Sequence, residues 1–228
     1  MANTHRRIIS EGIQRFFLKI LSPLINLFTK WGLSPNAFTV AGVIITALAA
    51  MAFIAGYIRF GGALVLIGGL CDTFDGSIAR STGKASRFGA FFDSVIDRYS
   101  EFVMFLGIAG HFVLIEDFLT SIVVFFALCG SVMVSYCRAR AESLGFEAAV
   151  GILQRPERIV LIGFAAMIHV AALKIVIWLI AILANLTALQ RIRNAYKQDS
   201  NQIEHKAENK TEHLDKNSRA VLSKDPGP

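Results

Sequence analysis

Asp72 and Asp75 lie three residues apart and Asp93 and Asp97 four apart, spacings that put each pair on one face of a helix. Both pairs sit in apolar stretches, where a carboxylate is costly and usually faces a polar cavity, a partner or an ion. Two neighbouring helices would therefore aim four carboxylates into one cleft, and that density of like charge needs a positive counterpart. Oxygen-only ligands without Cys or His suit Mg²⁺, Mn²⁺ or Ca²⁺ and not zinc or copper. Carboxylate-held metal pairs serve phosphoryl chemistry, where they neutralise and orient a diphosphate. Gly76 and Ala79 beside the first pair and Gly89 one turn before the second would let a ligand or a neighbouring helix approach the backbone closely. Arg80, Arg87 and Arg98 allow a second account, in which the acids form buried ion pairs that fix helix register.

The elements that must carry these residues are membrane helices. At 54% hydrophobic residues over 228 positions, the chain is too apolar for a soluble domain, and its formal charge of +6 does not change that. Residues 8–30 set Arg15, Lys19 and Lys30 against Phe16, Phe17, Ile20, Leu21, Leu24 and Leu27 at roughly helical spacing, which reads as an amphipathic helix in the membrane interface or one packed on the domain. Ser34 followed by Pro35 marks a helix start, with Ser at the cap and Pro at the first helical position. No charge follows until Arg59, so 37–58 is long enough to cross a bilayer. Further spans are expected at 61–76, 88–112, 119–136, 159–170 and 172–189, the last two nearly fused. The expected fold is an all-α integral membrane protein with six transmembrane helices preceded by an amphipathic interfacial helix.

Lysine and arginine in the short loops set the orientation. Arg80, Lys84, Arg87, Arg138, Arg140, Arg155, Arg158, Arg191, Arg193 and Lys197 fall on the side of both termini, against Arg59 and Lys174 opposite. Six spans with the acid cleft facing the cytoplasm, in a cell's inner membrane, fit this asymmetry. Residues 1–33 form an N-terminal arm and 34–198 the catalytic unit. The polar stretch 199–228 has too little apolar surface to offset ordering and is expected to be a disordered cytoplasmic tail. Cys71, Cys129 and Cys137 lack the spacing of a disulfide framework or a zinc site. Neither a secretory signal nor a Walker or Rossmann glycine pattern is found, and nothing points to nucleic acid.

Written out, Asp72-x2-Asp75-Gly76-x2-Ala79-Arg80-x8-Gly89-x3-Asp93-x3-Asp97 resembles the signature of the CDP-alcohol phosphotransferase family at every position. The resemblance extends over about 8–197. It implies transfer of a phosphatidyl group from CDP-diacylglycerol to an alcohol with release of CMP, and Mg²⁺ or Mn²⁺, two ions, bound by Asp72, Asp75, Asp93 and Asp97. Asp97 would double as general base on the acceptor hydroxyl. Asp72, Asp75, Gly76, Ala79, Arg80 and Gly89 would line the CDP end of the donor. A homodimer is likewise implied by the family alone.

That motif is shared by enzymes acting on different alcohols, so the acceptor must be read elsewhere. Arg138, Arg155, Arg158 and Arg191 gather on the cytoplasmic side, and guanidinium groups hold phosphate in bidentate geometry; singly, each could instead set topology or meet anionic lipid. The segments 135–142 and 155–158, with Asp93-Ser94-Val95-Ile96-Asp97-Arg98, look most like the prokaryotic phosphatidylinositol-phosphate and archaetidylinositol-phosphate synthases of that family. Arg138 stands where those enzymes more often carry lysine. Inositol 1-phosphate is the expected acceptor, with glycerol 3-phosphate, as in phosphatidylglycerophosphate synthases, the alternative. A divalent-cation transporter is the reading from another class, since it too would place carboxylates between membrane helices.

Overall fold

The computed structural model describes residues 21–25, 27–30, 34–81, 83, 86–148, 151 and 153–222, without the side chains of 35, 80, 81 and 203–222. Among them there is no strand. Six long helices follow one another: α1 (Pro35–Ile54), α2 (Ile58–Ser81), α3 (Arg87–Leu114), α4 (Phe118–Ser143), α5 (Arg155–Ile168) and α6 (Val170–Leu222).

Local chemistry explains most of the boundaries. Ser34 is extended (φ −74°, ψ 144°) ahead of Pro35, although its hydroxyl makes no capping bond. The Ser86 hydroxyl caps α3 by accepting from the Gly89 amide at 2.9 Å, and Asp117 caps α4 by accepting from the Thr120 amide at 3.1 Å. At α5 the Glu157 carboxylate reaches back to the Gln154 amide at 2.7 Å, a capping box in front of Pro156. The junction between α5 and α6 is one extended residue, His169 (φ −167°, ψ 154°). Where the sequence suggested a disordered tail from 199, the α6 backbone stays helical to Leu222. That stretch spaces Glu204, Glu208 and Glu212 with Lys206, Lys210 and Lys216 and holds neither Gly nor Pro before residue 226, so nothing in it breaks the helix.

Packing closes the helices into a ring. In order of contact, α1 lies against α2, α2 against α5, α5 against α6, α6 against α4, α4 against α3, and α3 against α1. A core of Phe53, Phe105, Ile108, Phe112, Ile162, Leu173, Ile177 and Ile180 fills one end of the ring, while the outward surface exposes large apolar residues such as Ile44, Met51, Leu106, Phe125, Phe126, Phe164 and Ile182. An apolar exterior around a packed interior is what a lipid solvent requires. Four of the helices are long and apolar enough to cross a bilayer, at Asn36–Ile54, Ile58–Ala79, Phe118–Ser143 and Val170–Gln202, and the chain is a membrane protein. The other two fall short for opposite reasons: α3 carries Asp93, Asp97, Arg98 and Glu101, and α5 has only 14 residues, about 21 Å at 1.5 Å per residue.

Of the expected amphipathic segment at 8–30, only 21–25 and 27–30 are described, and they are helical. Leu21 and Ile25 are buried on Phe74 and Ile78 of α2, with Phe28 and Phe38 completing the cluster, while Leu24 and Leu27 stay exposed.

Close helix contacts rest on small residues. A Cβ on Gly107 of α3 would stand 2.4 Å from Ala50 Cα of α1, and one on Gly62 of α2 would stand 2.7 Å from the Gly163 carbonyl oxygen of α5. Backbone atoms cannot yield as a side-chain tip would. Gly107→Val is therefore expected to destabilise the fold by about 1–3 kcal/mol, read as a lower thermal unfolding midpoint in detergent.

Candidate active site

The ring order brings the C-terminal half of α2 beside the N-terminal half of α3, with α1 behind them and α5 across from α3. Between these four helices opens a cleft lined by Asp72, Asp75, Asp97, Arg155 and, deeper, by Thr39, Gly42, Thr46 and Gly68. Carboxylate oxygens of Asp72, Asp75 and Asp93 all lie within 4.8 Å of one another. At an effective dielectric of about 20, each such pair of charges repels by roughly 3–4 kcal/mol.

Three side chains brace the group. The Thr39 hydroxyl of α1 donates to Asp75 Oδ2 at 2.8 Å. Arg155, at the start of α5, places Nη1 2.8 Å from Asp72 Oδ2 and Nη2 2.8 Å from Asp97 Oδ1, so one guanidinium bridges α2 and α3. Arg98 approaches Asp97 Oδ2 at 3.5 Å and is fastened to the Ser135 hydroxyl of α4. With all four aspartates ionised, −4 set against the +2 of Arg155 and Arg98 leaves −2. Asp93 Oδ1 and Arg155 Nε are buried without a hydrogen-bonding partner, a costly state for polar atoms. A divalent cation fits this set: the donors are all oxygen, the net charge is negative, and Asp93 has an acceptor to spare.

The sequence-derived site residues thus separate. Asp72, Asp75 and Asp93 converge as metal-ligand candidates, while Asp97 lies outside their close triangle and meets Asp72 both directly and through Arg155. Gly76 and Ala79 are half-buried on α2, and Gly89 lies in the first turn of α3; the Arg80 side chain is outside the described residues. Among the arginines expected at an acceptor phosphate, only Arg155 touches the aspartates. Arg158 is fully buried, donating through Nε at 3.0 Å and Nη2 at 2.6 Å to Glu101 Oε1 and through Nη1 at 3.3 Å to the Leu153 carbonyl. Arg191 is buried and donates to the Val134 carbonyl, beside Gly151, whose φ of +137° and closeness to Thr187 admit only glycine. Arg138 is exposed and pairs with Glu142 at 2.8 Å.

Two residues of the site were not anticipated. Thr39 is one of several threonines in apolar helices and carries no mark of its role in the sequence. Glu101 did leave a signal, since it continues the spacing of Asp93 and Asp97 by another four residues.

Comparison with known proteins agrees with this geometry. The family model for CDP-alcohol phosphatidyltransferases matches residues 32–190. Archaetidylinositol phosphate synthase of Pyrococcus horikoshii is 41% identical over 184 residues, covering 79% of this chain and 94% of that protein. Phosphatidylinositol phosphate synthase of Mycobacteroides abscessus is 31% identical over 189 residues, covering 77% and 83%. The crystal structure of Mycobacterium tuberculosis phosphatidylinositol phosphate synthase with CDP-DAG bound superposes with a TM-score of 0.71 at 29% identity, covering 78% of this chain and 94% of that one; the same protein was also solved with manganese and citrate. The chain belongs to the CDP-alcohol phosphatidyltransferase family, and it is an enzyme.

Because Thr39 satisfies an oxygen of a buried ligand candidate, Thr39→Val should weaken Mn²⁺ binding by about tenfold or more, with little change in unfolding temperature. Titration of free Mn²⁺ by electron paramagnetic resonance reads the affinity directly.

Proposed function

We infer that this enzyme transfers the phosphatidyl group of CDP-diacylglycerol to inositol 1-phosphate, releasing CMP and leaving a phosphatidylinositol phosphate in the membrane. The observation that carries the reading is the meeting of Arg155 with Asp72 and Asp97 at 2.8 Å, which joins a phosphate-binding group to the acid cleft. The names of the relatives at 41% and 31% identity support the same acceptor. Six crossings complete the architecture, with α3 and α5 admitted because their charges turn into the ring, and the segment ahead of Ser34 lies at the interface. The catalytic unit is 34–198, its cleft opens to the cytoplasm at the inner membrane, and it works as a homodimer.

Asp72, Asp75, Asp93 and Asp97 would hold Mg²⁺ or Mn²⁺, two ions, which when bound neutralise the donor's diphosphate. Gly76, Ala79, Arg80 and Gly89 lie along the CDP end of the donor. Asp97 takes the proton from the acceptor hydroxyl as that oxygen forms its bond to the lipid-side phosphorus, and the bond from that phosphorus to the bridging oxygen breaks, so CMP leaves with the oxygen. Arg155, Arg158, Arg191 and Arg138 gather the acceptor phosphate at the cytoplasmic ends of α4, α5 and α6. For Arg158 this requires the two guanidinium hydrogens that its contacts with Glu101 and the Leu153 carbonyl do not use.

Incubation with CDP-diacylglycerol, Mn²⁺ and equal concentrations of inositol 1-phosphate, free inositol and glycerol 3-phosphate, followed by mass spectrometry of the lipid, should give phosphatidylinositol phosphate. Phosphatidylglycerophosphate as the main product would replace the acceptor, and Mn²⁺ uptake into liposomes without CMP release would turn the reading to transport. Asp97→Asn should lower kcat by about 10²–10⁴-fold while CDP-diacylglycerol still binds, as followed by single-turnover CMP release and donor binding.

A further inference from the structure

Deeper than Asp97 on the same face of α3, Glu101 is 3% exposed, and the side chain it holds, Arg158, is fully buried. A charge pair withdrawn so far from water gains little net stability over an apolar pair of the same volume, so its placement calls for another account. The helix packing supplies one. α5 lies against α2 and α6, and α3 against α1 and α4, so the two helices face each other across the ring and meet chiefly through side chains.

Two ionic rungs cross that gap. Asp97 meets Arg155 at 2.8 Å and Glu101 meets Arg158 at 2.6 Å. Along α3 the acids are four apart and along α5 the arginines three apart, so the rungs stack one turn above the other. The lower rung is the more constrained, because Arg158 spends both Nε and Nη2 on one carboxylate oxygen and Nη1 on the Leu153 carbonyl just before α5 begins. The second oxygen, Glu101 Oε2, has no hydrogen-bonding partner and stands 3.9 Å from Arg98 Nη1, the guanidinium that also approaches Asp97.

We propose that Glu101 is a positioning residue for phosphatidyl transfer, fixing the start of α5 through Arg158, so that Arg155 meets the acceptor in register with Asp97. It touches no substrate itself. The proposal rests on Asp97 being the base. It also differs from a role in metal binding, since Asp72, Asp75, Asp93 and Asp97 sit on α2 and α3 while Glu101 acts through Arg158 on α5.

The test uses the full chain in detergent and whichever acceptor the wild type consumes, so that a wrong acceptor shows in the wild type and not in the variant; turnover retained by Asp97→Asn would separately defeat the base. Glu101→Gln keeps the volume and removes the charge, and Glu101→Asp keeps the charge and shortens the reach. For both, the Mn²⁺ affinity and the KM for CDP-diacylglycerol should stay within about twofold of wild type. In Glu101→Gln kcat should fall about 10–100-fold with a raised acceptor KM, and Glu101→Asp should lie between it and wild type. If Glu101→Gln does not fold, Glu101→Asp decides alone by the same comparison. Wild-type kcat in a folded variant, or a loss in which Mn²⁺ binding, donor KM and thermal midpoint fall together, would reduce Glu101 to a structural residue and overturn the proposal.

Discussion

The constraint on which the rest of the structure depends is the mutual repulsion of carboxylates gathered inside an apolar ring of helices. Three carboxylates within 4.8 Å cannot be left to solvent screening, because lipid and packed side chains surround them. The protein answers with two arginines, one from another helix and one from α3 itself. Arg155 enters from α5 and ties Asp72 to Asp97, while Arg98 is tethered to α4 and leans on Asp97. The guanidinium of Arg155 thus stands between two carboxylates assigned to metal, and its charge does part of what a cation would do there. Arg155 engages one oxygen of Asp72 and one of Asp97, so each carboxylate keeps its other oxygen for a further partner.

The same constraint explains why α3 and α5 do not look like ordinary membrane helices. Asp97, Arg98 and Glu101 of α3 are directed into the ring, where they are paired, and the helix keeps an apolar outer face with Leu106 and Phe102 exposed. Short α5 carries Arg155 and Arg158 in its first turn, where its capping box and Pro156 fix the direction of entry. The apolar core fills the far end of the ring, leaving the polar end open, and the excess of lysine and arginine lies at that open end. Function and topology therefore draw on the same residues.

Much of this was legible in the sequence, and the reasons differ by residue. The aspartates were, because three- and four-residue spacing in apolar sequence has few explanations. The break between α5 and α6 was visible only as a near fusion of two short spans, and it is one extended residue, His169. Thr39 was not legible: threonines in membrane helices commonly bond the carbonyl four residues back, as Thr46 does to Gly42 and Thr73 to Gly69, and only the packing of α1 on α2 reveals that Thr39 turns to Asp75. The four arginines proposed at the acceptor phosphate differ in setting, from Arg138, exposed and paired with Glu142, to the fully buried Arg158. Local spacing shows which residues share a face; it does not show which neighbour that face meets.

The proposed divalent-metal site among the aspartates, with Arg155 bridging Asp72 and Asp97, is open to direct test. Anomalous diffraction at the manganese edge, from crystals grown with Mn²⁺ and a CDP-linked lipid, tests it most directly. Anomalous density among Asp72, Asp75, Asp93 and Asp97 is the expected result. Density elsewhere, or a cleft without manganese, would contradict it.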